Sequence, residues 1–146
     1  MDRALARYGA LVQAKIPGAD PASPGSGAAG GLGFALCAIL GGAIVPGFEL
    51  MRRLLELDRV LADADLVFTA EGQLDRSSMD GKICVAVARM GRPTVALVGQ
   101  ASLDAEEAGF AGVYSIVGDL GVSVAEAMAN GSELLTQLAE CAMDRV

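Results

Sequence analysis

Three short apolar runs, residues 66–69, 94–98 and 112–117, are each separated by a segment long enough to hold a helix. That spacing limits the fold more than any other feature of the chain. Antiparallel neighbours can be joined by a two-residue turn, whereas parallel neighbours need a crossover of a dozen or more residues, usually helical. Residues 82–90 read as the first crossover helix, stopped by Gly91-Arg92-Pro93. Residues 103–108 read as a short helix capped by Ser102. Residues 123–145 read as one long helix, opened by the capping-box spacing Ser123 to Glu126. The expected fold class is α/β: a partial doubly wound parallel sheet of about three strands with covering helices.

The preceding part of the chain has a different character. Residues 2–15 have helical periodicity, with Leu5, Tyr8, Leu11 and Val12 on one side, and Pro17-Gly18 ends them. A loop with Pro21 and Pro24 leads to a helix expected over residues 28–40, ended by Gly41-Gly42. Pro46 stands near the start of another helix over residues 47–57, and residues 57–64 continue as a helical turn. The chain therefore divides into residues 1–60, mostly helical and glycine-rich, and residues 65–146, a half-size α/β unit. A parallel sheet is usually covered on both faces. Three strands leave two edges, so further strands are expected from elsewhere.

Composition excludes several functions. The net charge of −7 argues against a nucleic-acid surface, which needs a basic face. With no histidine in the chain, Ser-His-Asp and Cys-His catalysis and every histidine-metal site are ruled out. Cys37, Cys84 and Cys141 are widely spaced among apolar neighbours, and read as buried thiols of a cytoplasmic protein. Residues 28–45 carry no charge over 18 positions, near the length of a membrane span. Five glycines punctuate them, so a buried helix is the expectation and no membrane partner is foreseen.

Two constellations carry chemistry. Gly25, Gly27 and Gly30 satisfy G-x-G-x-x-G, where bare backbone N–H groups and a helix N-terminus can meet an anion. No strand precedes them, and the same glycines would equally serve close helix packing. The second constellation follows the first strand: Thr69, Glu71, Gly72, Asp75, Ser77, Ser78 and Lys82. Such residues also make an ordinary solvated loop. Yet the chain holds only two lysines, Lys15 and Lys82, and Lys82 at a helix start opposes the helix dipole unless an anion lies nearby. In open α/β sheets ligands bind at the carboxyl ends of strands. Val98-Gly99-Gln100-Ala101-Ser102, after the second strand, should lie beside this cluster.

Taken together, these segments resemble the type-1 glycerate kinases. The resemblance rests on Pro24 through Gly33, close to the family form PGSGAAGGxG, and on Pro46-Gly47-Phe48-Glu49-Leu50 and Ala64-Asp65-Leu66-Val67. It also rests on the strand end, typically TGEGRLD followed by a serine and HGK. Ala70, Gln73 and Asp80 stand where that pattern has glycine, arginine and histidine. The resemblance covers about the last two fifths of a family member, whose fold is two α/β domains, one interrupting the other. Residues 1–60 would end the inserted domain and residues 65–146 would complete a Rossmann-like domain.

The resemblance implies ATP-dependent phosphorylation of D-glycerate with Mg²⁺. Asp75 and Lys82 would be catalytic, and Glu71 and Asp75 would hold the metal. Gly25, Ser26, Gly27, Gly30, Ser77 and Ser78 would bind substrate. It further implies that this chain alone is incomplete and inactive, and that it joins a second copy or a chain supplying the missing N-terminal half. The alternative is a catalytically inactive relic that binds a small anion or a partner.

Overall fold

A computed structural model describes residues 2–145. The chain separates into two compact units, Met1–Gly47 and Phe48–Val146.

The first unit is built from α1 (Asp2–Lys15) and α2 (Ala28–Leu40). Tyr8 of α1 meets Phe34 of α2 edge to face, with ring centroids 5.7 Å apart, and Phe34 is buried. The helix expected from residue 28 is not regular there. Ala29, Gly30 and Gly31 lie in the left-handed region, with φ of 50°, 69° and 91°. Right-handed winding begins only after them, because the glycine-rich segment makes a tight reversal before the helix proper. Gly41, also left-handed, closes α2 as a C-terminal cap.

The second unit opens with α3 (Gly47–Leu54) and α4 (Leu57–Leu61), where Arg52 grips Asp58 through two hydrogen bonds of 2.9 and 2.6 Å. The sheet follows. β1 (Val67–Leu74) leads through a 3-10 helix (Arg76–Asp80) into α5 (Ile83–Ala88). β2 (Thr94–Ala101) is followed by α6 (Ala105–Ala108), and β3 (Gly112–Ser115) by α7 (Ile116–Asp119). α8 (Val124–Ala129) and α9 (Gly131–Met143) complete the unit.

The three strands are parallel in the order β1-β2-β3, the α/β architecture expected. β2 is buried on both faces, and its side chains alternate between two cores. Ala96 and Val98 pack with Leu74, Cys84, Val85 and Phe110 on one face. Val95 and Leu97 pack with Ile116, Leu134, Leu138 and Ala142 on the other.

Several element boundaries differ from the sequence reading. β1 runs to Leu74 instead of ending at residue 69, because the ladder to β2 carries Glu71 and Gln73 along opposite Val98 and Gln100. The third strand ends at Ser115, whose hydroxyl caps α7 by accepting from Gly118 N at 2.9 Å. Asp104 caps α6, by a reciprocal box with Glu107. Ser102 instead donates from its backbone N to Leu74 O at 2.9 Å, tying the ends of β2 and β1 together. The long last helix is two helices, broken at Asn130-Gly131; Ser123 accepts from Glu126 N at 3.2 Å as expected of a cap. No helix among the described residues is long and apolar enough to cross a membrane.

Candidate active site

The end of β1 becomes a site through one short hydrogen-bonded turn. Asp75 leaves the strand in extended conformation and caps the 3-10 helix. Its Oδ1 accepts from Ser77 N at 2.8 Å and from Ser77 Oγ at 2.6 Å. In return, Asp75 N donates to Ser78 Oγ at 3.2 Å. Gly81, with φ of 100°, ends the turn in a conformation that favours glycine. Lys82 then sits at the N-cap of α5 and points back over the turn.

Lys82 Nζ is 3.2 Å from Ser78 Oγ, 3.8 Å from Asp75 Oδ1 and 3.9 Å from Glu71 Oε2. The ammonium thus bridges two carboxylates presented by the strand and by the turn. Ser77's hydrogen bonds, with a further contribution from Lys82, hold the Asp75 carboxyl below the usual carboxylate range. Glu71 is largely enclosed, and its Oε1 is buried with no hydrogen-bond partner. A buried carboxylate oxygen without a donor is costly, so it marks a place where a ligand's donor or a cation would be favourable. Beneath the cluster, Thr69 Oγ1 donates to the buried Cys84 Sγ at 3.2 Å, and burial pushes that thiol's pKa up.

The residues singled out from sequence are placed differently. Glu71, Asp75, Ser77, Ser78 and Lys82 come together. Ser78 is fully buried, its hydroxyl engaged by Asp75 N and Lys82 Nζ while donating to Gln73 O at 3.4 Å. That geometry braces the turn and leaves Ser77 as the accessible serine. Gln73 and Gln100 are register partners, so the segment after the second strand does lie beside the cluster. No group of three or more Asp, Glu, Cys or His side chains placed to hold a metal occurs among the described residues.

Gly25, Ser26, Gly27 and Gly30 belong to the first unit. There Ser26 is buried, its Oγ donating to Asp20 O at 3.4 Å, and its carbonyl accepts from Phe34 N at 3.1 Å. A Cβ on Gly25 would meet Ile44 Cγ2 at 2.8 Å, and one on Gly33 would meet Gly25 O at 2.6 Å. Close packing accounts for those two glycines. Gly27 has open space around it.

Sequence reasoning missed a cleft of about 570 Å³ on the other side of the strand ends. β1, β2 and α7 contribute to it, with α8 and α9 as its far wall. The break at Asn130-Gly131 was the signal available, since both residues are weak helix formers.

The glycerate kinase family profile matches residues 1–146. A glycerate kinase of Halalkalibacterium halodurans is 33% identical over 95% of this chain and 38% of its own length. Glycerate 2-kinase of Escherichia coli K12 is 30% identical over 83% of this chain and 34% of its own length. A protein crystallised as a candidate glycerate kinase 2 from Salmonella typhimurium LT2 superposes with a TM-score of 0.67 at 30% identity, over 99% of this chain and 40% of that one. The chain therefore spans under two fifths of the length of these two kinases, and it belongs to the glycerate kinase family.

Proposed function

We propose that this chain forms the C-terminal part of a glycerate kinase, carrying residues that transfer the γ-phosphoryl group of ATP to a hydroxyl of D-glycerate. The observation that carries the reading is Lys82 Nζ held between Glu71 and Asp75 at the carboxyl end of β1, in a chain of this family. Phosphoryl transfer is mainly positioning and charge neutralisation. The substrate hydroxyl oxygen forms a bond to phosphorus as the bond from phosphorus to the ADP oxygen breaks. Asp75, kept ionised by Ser77, orients that hydroxyl and takes its proton. Lys82 draws the phosphate charge, and Ser78 fixes where its ammonium sits.

Mg²⁺ fits the donor set. Glu71 and Asp75 supply hard carboxylate oxygens, and Glu71 Oε1 is buried and unpartnered. The ion, held there with the help of phosphate oxygens, would neutralise charge on the transferred group. Ser77 is the proposed substrate contact of this cluster, and the backbone of residues 25–30 is proposed, within the first unit, as an anion-binding segment.

A second reading is favoured by Gln73 and Asp80, which bring no positive charge to the turn where the family pattern has arginine and histidine. On that reading the chain binds a small anion or a partner chain without turnover. One experiment separates the two. The chain alone should release no ADP in the presence of D-glycerate. Adding a chain equivalent to the remaining N-terminal part of a family member should restore solubility first and then glycerate-dependent ADP release. Absence of release from a well-formed complex would sink the kinase reading in favour of the second. Release by the chain alone would overturn its incompleteness.

A further inference from the structure

The cleft beside the strand ends shares Glu71 with the charged cluster described above but is otherwise unused by it. It lies at the carboxyl ends of β1 and β2, where ligands of open α/β sheets are commonly held, on the side away from Cys84 and α5. Ala70 and Gly72 of β1 and Gly99 of β2 leave its floor almost bare of side chains. A Cβ on Gly99 would meet Gly72 O at 2.5 Å, so the strands approach there as only glycine allows. Val124, Met128 and Leu135 make an apolar wall, with Met128 82% exposed at the mouth. Gln73 and Gln100, register partners on neighbouring strands, supply amides that both donate and accept.

We propose that this cleft seats the purine ring of the nucleoside triphosphate. The inference rests on the phosphoryl-transfer reading. A flat bare floor and an apolar wall suit the faces of a heteroaromatic ring, and paired amides suit its edge of mixed donors and acceptors. Glycerate is too polar and too small to need such walls. A volume of about 570 Å³ lies within the range of small-molecule sites. Glu71 lines the cleft and its Oε2 lies 3.9 Å from Lys82 Nζ, so the cleft and the charged cluster adjoin at the end of β1. A nucleotide seated by its base here has its phosphates directed to the ammonium.

The test uses calorimetric titration of the complemented assembly, this chain with the remaining N-terminal part of a family member, with ADP, adenosine and tripolyphosphate. A Cβ at Gly72 or Gly131 meets nothing within 4 Å, so Gly72→Val and Gly131→Leu build side chains into the cleft from open positions, and thermal melts should confirm that both variants fold. We expect each to weaken ADP by about tenfold or more while leaving tripolyphosphate unchanged. Lys82→Ala should do the opposite, weakening tripolyphosphate and leaving adenosine unchanged. On the unaltered protein, adenosine should compete with ADP. Unchanged ADP affinity in both cleft variants, absence of ADP binding to the assembly, or failure of adenosine to compete would each overturn the proposal. If the cleft variants lose ADP and the complemented assembly still transfers nothing to glycerate, the cleft stands and the kinase reading falls. If that assembly phosphorylates glycerate normally with a narrowed cleft, the kinase reading stands and the cleft falls.

Discussion

The glycine-rich turn in residues 25–33 and the strand-end cluster in residues 71–82 suggest function equally strongly as bare sequence. Both are dense in small and polar residues, and both match the same family. Their physics differs. In the glycine-rich turn most polar groups face inward: Ser26 bonds Asp20 and Phe34, and Gly25 and Gly33 are glycine because Ile44 and a carbonyl stand where a Cβ would go. In the strand-end cluster the hydrogen bonds converge on charged groups that still face outward, and one buried carboxylate oxygen has no partner. A glycine motif thus records a packing requirement as readily as a ligand. Charged side chains braced by serines and left partly unpaired point to chemistry.

The sharpest way to break this comparison is Asp75→Asn in a complemented enzyme. Asparagine caps helices as well as aspartate does, so the turn should survive and the melting temperature should barely move. Turnover should fall by about a hundredfold or more, as when other groups that act on transition-state charge are removed. Near-normal kcat would place the chemistry elsewhere.

On the packing side, Gly33→Ala should destabilise the protein by roughly 1–3 kcal/mol, because the new methyl meets the Gly25 carbonyl and the backbone must give way. Gly27→Ala adds the same methyl in open space, in a right-handed conformation, and should leave stability within about 0.5 kcal/mol. A rise in glycerate KM in Gly27→Ala would support the ligand role proposed for this turn. Urea melts and initial rates check both.

Lys82→Ala should weaken phosphate-bearing ligands by about tenfold, on the order of a charge-assisted hydrogen bond. Lys15→Ala, on an exposed helix end, should change nothing measurable. Equal effects would dissolve the distinction between the cluster and an ordinary solvated surface.

The smallest effect is on pH. Asp75 in the folded protein has its pKa depressed, chiefly by Ser77. Its contribution to stability is present above the unfolded value, about 3.9, and is lost as pH falls through the lower folded value. The acid limb of the stability profile below about pH 4 should therefore be slightly shallower in Asp75→Asn. Asp58, held low by Arg52, adds to the same limb, and Asp58→Asn should flatten it further. A steeper limb in either variant would contradict the sign.

The sequence alone determined the parallel sheet and the gathering of the cluster. Apolar runs separated by crossover lengths admit little else, and Asp75 through Lys82 lie too close in the chain to be scattered. The same locality made the Ser123 cap readable. Only the tertiary structure decided where β1 ends, since Glu71 and Gly72 are poor strand formers that pairing with β2 keeps in the strand. It also decided that Ser78 is buried with its hydroxyl engaged by Asp75 N and Lys82 Nζ, because burial depends on what packs over the turn. The left-handed run at residues 29–31 and the cleft against α8 and α9 were beyond periodicity for the same reason. A local pattern records what a segment can form, whereas the neighbours that strands and helices bring from far along the chain choose among those forms.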